Sequence, residues 1–251
     1  MHYSITQWSV SQTEEHKQDY LESKLDSDIC LLSRCRSNHL DMVRQKYEHV
    51  WHWPYGYSRY YDVDWDGNPE PNSKIFSKNK SYGQYHLVCA TKFKPDSVDF
   101  LDAELPSYEY SQCEEGSGAI TMTIGDLQTI NFATVWGQEI LAVQDLKYFF
   151  NNVAVKDKCL VAGDLHWEPS LPQSFHTIID RYEFDASHTD DLITFSKHKP
   201  ADEENPNGWV QGYRHDRIIT KGLNVNDLRS CNKPISEGQA HWIVQYSIDS
   251  I

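Results

Sequence analysis

Cys159-Leu160-Val161-Ala162-Gly163-Asp164-Leu165-His166 is a short apolar run that closes on a carboxylate and then an imidazole. It reads as a strand whose end carries polar chemistry. Two later stretches repeat the arrangement: Arg214-His215-Asp216-Arg217-Ile218-Ile219 and Gln239-Ala240-His241-Trp242-Ile243-Val244. Each sets Asp or His directly beside an apolar run. Strand ends are rigid mounts, so polar side chains gathered there from separate strands form a preorganised site. A carboxylate orients an imidazole and keeps it protonated beside a phosphate, which makes Asp216 and His241 a candidate pair. Asp164 is the candidate general base on water. Taken singly, an Asp after Gly at a strand end is more often a turn residue or a helix cap, and a His beside Trp more often a satisfied interior group.

Outward from this stretch the pattern alternates. His2–Val10 has period-two spacing and reads as a first strand, and Glu14–Leu25 as a helix capped by Thr13. Asp28–Leu32 is apolar throughout, too short for a helix, and reads as a strand buried on both faces. A short helix over Leu40–Tyr47 and a strand over His49–Trp53 follow, ended by Pro54. Pro54 to Gly83 has the composition of a long surface loop. Further strands are expected at Tyr85–Lys92, Ala119–Ile124, Leu127–Val135, Tyr213–Thr220, Leu223–Leu228 and Ala240–Ile248, with an amphipathic helix over Glu139–Phe150. A short helix is expected near Pro172 and an exposed loop over Ser196–Gly208. No linker or repeat interrupts the pattern, so a single domain over residues 1–251 is expected.

The 251 residues carry a formal net charge of -14, from 23 Lys plus Arg against 37 Asp plus Glu. Such a field repels phosphate backbones and disfavours non-specific nucleic-acid binding. With 39% apolar and 13% aromatic residues the chain is neither disordered nor fibrous. No apolar run approaches the ~20 residues of a bilayer helix. Met1–Ile5 lacks the basic and apolar start of a signal peptide, so the expected compartment is the cytoplasm. Cys30, Cys35, Cys89, Cys113, Cys159 and Cys231 are too scattered for a disulfide frame or a zinc finger, and Cys30, Cys89 and Cys159 read as core thiols.

In their order and spacing these motifs resemble the endonuclease/exonuclease/phosphatase superfamily, which has the deoxyribonuclease I-like fold. Trp8-Ser9-Val10 stands where the family has Trp-Asn-Val, and Asp28–Arg34 where it has an Asp-Ile-Ile-Cys-Leu-Gln-Glu type of strand. Gly163-Asp164-Leu165-His166 resembles Gly-Asp-Phe-Asn, His215–Ile219 resembles the Asp-Arg-Ile strand, and Ala240-His241 resembles the terminal Ser-Asp-His. The resemblance implies an α+β sandwich of two packed mixed sheets flanked by helices, and a metal-dependent phosphodiesterase ancestry using Mg²⁺ or Mn²⁺. The departures bear on activity. Ser9 and Arg34 replace the Asn and Glu that help build the family's metal site, Val135 or Trp136 replaces a His, His166 an Asn, and Ala240 an Asp. Asp164, Asp216 and His241 keep their type. A hard divalent ion wants carboxylate oxygens and an arginine repels it, so no cofactor is expected, and Mg²⁺ or Mn²⁺ only if activity survives. The guanidinium of Arg34 or Arg217 would instead hold phosphate, and the alternative for Arg34 is a solvated strand end.

Trp51, Trp53, Tyr55 and Tyr57, followed by Tyr60, Tyr61 and Trp65, form a dense aromatic segment with Asp62, Asp64, Asp66 and Glu70 beside it. Aromatics stack on bases or anchor protein interfaces, and the acidic neighbourhood favours a protein partner over a nucleic acid. The acidic loop lacks the terminal Glu of a calcium loop. His49 and His52, three apart on a strand, face opposite ways and do not form a zinc pair. The reading is a catalytically degenerate deoxyribonuclease-like protein that serves as a binding or regulatory module through this surface. Its rivals are a surviving phosphodiesterase or phosphatase using Asp164, His166, Asp216 and His241, and an acidic nucleic-acid mimic that blocks a basic partner.

Overall fold

Hydrophobic side chains at both parities of the central strands require cover on both sheet faces, and the architecture supplies it. In a computed structural model, residues 2–10, 22–35, 37–55, 85–101, 118–134, 139–165, 173–189, 192, 195–199, 209–213, 216–231, 238–241 and 243–251 are described. The strands are β1 (His2–Ser9), β2 (Ile29–Cys35), β3 (His49–Tyr55), β4 (Tyr85–Thr91), β5 (Ser97–Leu101), β6 (Gly118–Ile124) and β7 (Leu127–Ala133). They continue with β8 (Lys158–Asp164), β9 (Phe195–Lys199), β10 (Trp209–Tyr213), β11 (Asp216–Lys221), β12 (Leu223–Cys231), β13 (Gly238–His241) and β14 (Ile243–Ser250). The longer helices among the described residues are α1 (Ser37–Lys46), α2 (Glu139–Asn152) and α3 (Gln173–Tyr182).

A six-stranded sheet runs β12-β14-β1-β2-β4-β3 and a five-stranded sheet runs β11-β8-β7-β6-β5, both mixed. β1 and β2 are parallel, as are β7 and β8, and their other neighbours are antiparallel. Ile5, Ile29, Leu31, Met122, Leu160 and Ile218 pack between the two sheets. The opposite parity, Cys30 and Leu32 with Val88, packs with Leu40 and Val43 of α1. Val161, Phe132 and Ile219 pack with Phe149 of α2 and Phe175 of α3. The result is the expected α+β sandwich with helices outside. Among the described residues no helix is long and apolar enough to cross a membrane.

Several local expectations are corrected. Pro54 lies inside β3 rather than ending it, because β3 is an edge strand and a missing N–H is tolerated there. The strand expected over Tyr213–Thr220 is two: β10 ends at Tyr213 and β11 begins at Asp216. Ser196–Lys199, expected as the start of a loop, lies in β9 of a small third sheet ordered β10-β9-β13. Ala240–Ile248 is likewise divided between β13 and β14. Of the helix expected over Glu14–Leu25, residues 14–21 lie outside the described residues and residues 22–24 are helical. Cys30, Cys35, Cys89 and Cys159 are buried free thiols, and burial pushes Cys30 and Cys159 up to about 12, which makes them unreactive core groups.

Two buried amides clamp the sheets together. Asn131 Nδ2 on β7 donates to the carbonyls of Leu32 at 2.8 Å and Val88 at 2.9 Å in the other sheet. Gln7 Nε2 on β1 reaches back, donating to the carbonyls of Arg217 at 3.1 Å and Gly163 at 3.4 Å. Truncating Asn131 leaves carbonyls buried without their donor. Asn131→Ala is expected to cost about 2–4 kcal/mol, read as a lowered urea midpoint with unchanged slope. An unchanged midpoint would refute the clamp.

Candidate functional site

The strand directions bring several chain positions to one edge of the sandwich. β1 and β2 end there, β7 and β8 end there, and β11 begins there, with Asp216 directly opposite Asp164. Both carboxylates are 1% exposed. Asp216 and Ile218 share a face by strand alternation, and Ile218 packs between the sheets, so Asp216 faces the inter-sheet side. Thr134, just past β7, donates its amide to the Asp164 carbonyl at 3.1 Å and holds that strand end in place.

The other sheet supplies two partners for the Asp164 carboxylate. Ser9 Oγ donates to Oδ2 at 2.9 Å, and Arg34 Nε lies 3.5 Å from the same oxygen. Arg34 reaches it because β2 bulges: Leu32 pairs with Val88 and Cys35 with His86, so one extra residue sits in β2, and Arg34 takes a left-handed φ of 53°. A bulge re-aims side chains, and a non-glycine residue held at positive φ costs about 1–3 kcal/mol, a strain found mostly where surrounding structure imposes it. Arg34 is 8% exposed, so the solvated alternative does not hold.

Arg217 stands apart. It follows Asp216 and precedes Ile218 on β11, so it shares the parity of Ile219, which packs among the helix-facing residues. It is 1% exposed and turned toward α2 and α3, not toward Asp164. Arg217, expected to hold a phosphate, therefore has the helix-facing parity of β11, because neighbouring strand residues point to opposite faces. His166 lies outside the described residues. His241 is described by its backbone, at the end of β13 opposite Phe195; β14 follows at Ile243, with Val244 paired to Gln7. The chain at His241 thus returns to the edge where Ser9 ends.

Of the aromatic segment, Trp51 and Trp53 on β3 are half-buried against the inter-sheet core, and Trp53 meets Phe100 of β5 at 5.1 Å. They serve packing at the open side of the sandwich. Tyr55 ends β3 opposite Tyr85, and Tyr57, Tyr60, Tyr61 and Trp65 lie outside the described residues, as do Asp62, Asp64 and Asp66. His49 stacks on Trp51, whereas His52 meets His86 with its Nδ1 3.2 Å away, a contact that local reading of β3 does not reveal.

A divalent ion fits the described residues of the Asp164 cleft poorly. No group of three His, Cys, Asp or Glu side chains able to hold a metal occurs among them. A guanidinium stands beside the Asp164 oxygen that a hard cation would need. Chemically the cleft offers two buried carboxylates, that of Asp164 held by a cation and a hydroxyl.

No protein-family model and no curated protein sequence matches the chain. Solved structures do. It resembles an endonuclease/exonuclease/phosphatase from Bacteroides vulgatus at TM-score 0.67 and 11% identity, covering all of both chains. A second such protein, from Beutenbergia cavernae, aligns at TM-score 0.64 and 12% identity over 99% of this chain and 72% of that one. D. rerio TDP2, solved with a single-strand DNA product, aligns at TM-score 0.59 and 13% identity over 99% of each. The chain thus has the deoxyribonuclease I-like fold that these solved structures have.

Proposed function

We propose that this chain is a catalytically degenerate deoxyribonuclease-like protein that works in the cytoplasm as a binding or regulatory module for another protein. The observation that carries the reading is Arg34 Nε 3.5 Å from Asp164 Oδ2, with Ser9 donating to the same oxygen. The carboxylate kept in type is already neutralised by the side chain that replaces an acid. Without a bound ion, water activation and leaving-group stabilisation lose several kcal/mol. The net charge of -14 favours a partner with a basic surface.

The test is hydrolysis of phosphodiester and phosphomonoester substrates in Mg²⁺ and in Mn²⁺. Turnover no greater than that of Asp164→Asn is expected. Robust turnover that disappears in Asp164→Asn would defeat the proposal and favour the second reading, a surviving phosphoesterase. That second reading draws on Asp164 and Asp216 lying directly opposite each other at the cleft.

A further inference from the structure

His52 and His86 lie on neighbouring strands β3 and β4, on the face of the six-stranded sheet that packs α1: His52 pairs with Val88, which is two residues from His86 and touches Leu40 and Val43 of the helix. Their Nδ1 atoms are 3.2 Å apart, with the ring planes inclined at 66°. Two nitrogens each about 2.0–2.1 Å from a tetrahedral ion stand roughly 3.3 Å apart, so this separation is the bite of a two-histidine chelate. Burial lowers the pKa of both rings, His86 to about 4, so both are neutral at pH 7 and have a lone pair to give. The two residues are 34 positions apart in the chain, and only strand pairing joins them.

We propose that His52 and His86 chelate a borderline divalent cation such as Zn²⁺ through their two Nδ1 atoms. The competitor is Arg44 of α1, whose Nη2 lies 3.1 Å from His52 Nε2. An arginine only donates, so in that contact Nε2 carries the lone pair and the His52 proton sits on Nδ1, donated to His86. When the ion enters, the proton moves to His52 Nε2, His86 keeps its proton on Nε2, and no proton is released. Arg44 must then leave Nε2. It is half-exposed and retains Asp41, whose Oδ1 lies 3.3 Å from Nη1. No third His, Cys, Asp or Glu completes a cluster among the described residues, so water fills the other positions and binding is weaker than at a structural zinc site.

The experiment is calorimetric titration of the chelator-treated full chain with Zn²⁺, in the wild type and in His52→Gln, His86→Gln and Arg44→Gln. One saturable site is expected. His52→Gln and His86→Gln should each weaken it by more than roughly tenfold, the scale at which even outer-shell partners count. Arg44→Gln should strengthen it by roughly threefold or more, because a competing donor and a nearby positive charge are removed. His52 is only half-buried, so His52→Gln remains a test if His86→Gln misfolds. Cu²⁺ bound at the same site should show coupling to two nitrogens by electron paramagnetic resonance. Absence of a saturable site, binding unchanged in both histidine variants, or weaker binding in Arg44→Gln would each overturn the proposal. None of these outcomes depends on the Asp164 cleft or on whether it hydrolyses anything.

Discussion

Gly163→Ala is expected to yield no folded protein, or one destabilised by more than about 4 kcal/mol. Gly163 pairs with Phe132 across the parallel β7–β8 ladder. A Cβ on Gly163 would stand 1.7 Å from the Phe132 carbonyl oxygen and 2.7 Å from its carbon. Backbone atoms in a sheet centre have no rotamer through which to escape, unlike the tip of a flexible side chain. Relief therefore requires β8 to move from β7, and β8 carries Asp164 at its end. Soluble yield, far-UV circular dichroism and melting temperature give the readout. An alanine variant that melts within a few degrees of the wild type would show that the close approach of these strands is not needed.

Acid should unfold the protein through the histidine pair in the absence of added metal. Burial first, then His52 and Arg44, hold the His86 pKa down from 6.5 to about 4. A proton thus binds the unfolded chain more readily than the folded one between those values, and stability rises with pH across that window. The contribution is complete above about pH 6.5, is lost as pH falls toward 4, and is constant below. A shift of that size corresponds to about 3 kcal/mol. Urea midpoints from pH 7 to pH 4 should drop accordingly, and the slope should flatten in His86→Gln. An identical slope in wild type and variant would assign the acid sensitivity to other groups.

Much of the site's framework is legible in the chain because it is local. Apolar runs ending in Asp164 and flanking Asp216 mark strand ends by composition alone, and both carboxylates arrive at one edge. The alternation rule also contained a warning that is easily overlooked: Asp216 and Arg217, being adjacent on a strand, could not both face the cleft. A polar Gln7 at an inward position of an otherwise apolar alternation was likewise a visible signal, and it proved to be a cross-sheet clamp. β5 and β9 were not legible, since Ser97–Leu101 and Phe195–Lys199 have weak strand patterns and owe their form to β6, β10 and β13.

From residue order alone come the apolar strand runs and the parity of the core, because period and residue type act over a few neighbours, while the class of fold was an implication of the motifs' resemblance to a known family. Tertiary structure alone decided that the bulge in β2 swings Arg34 onto Asp164, and that His52 meets His86 beneath Arg44. Those contacts join positions 130 and 34 apart, and their distances depend on how two sheets and a helix pack, which no local propensity encodes.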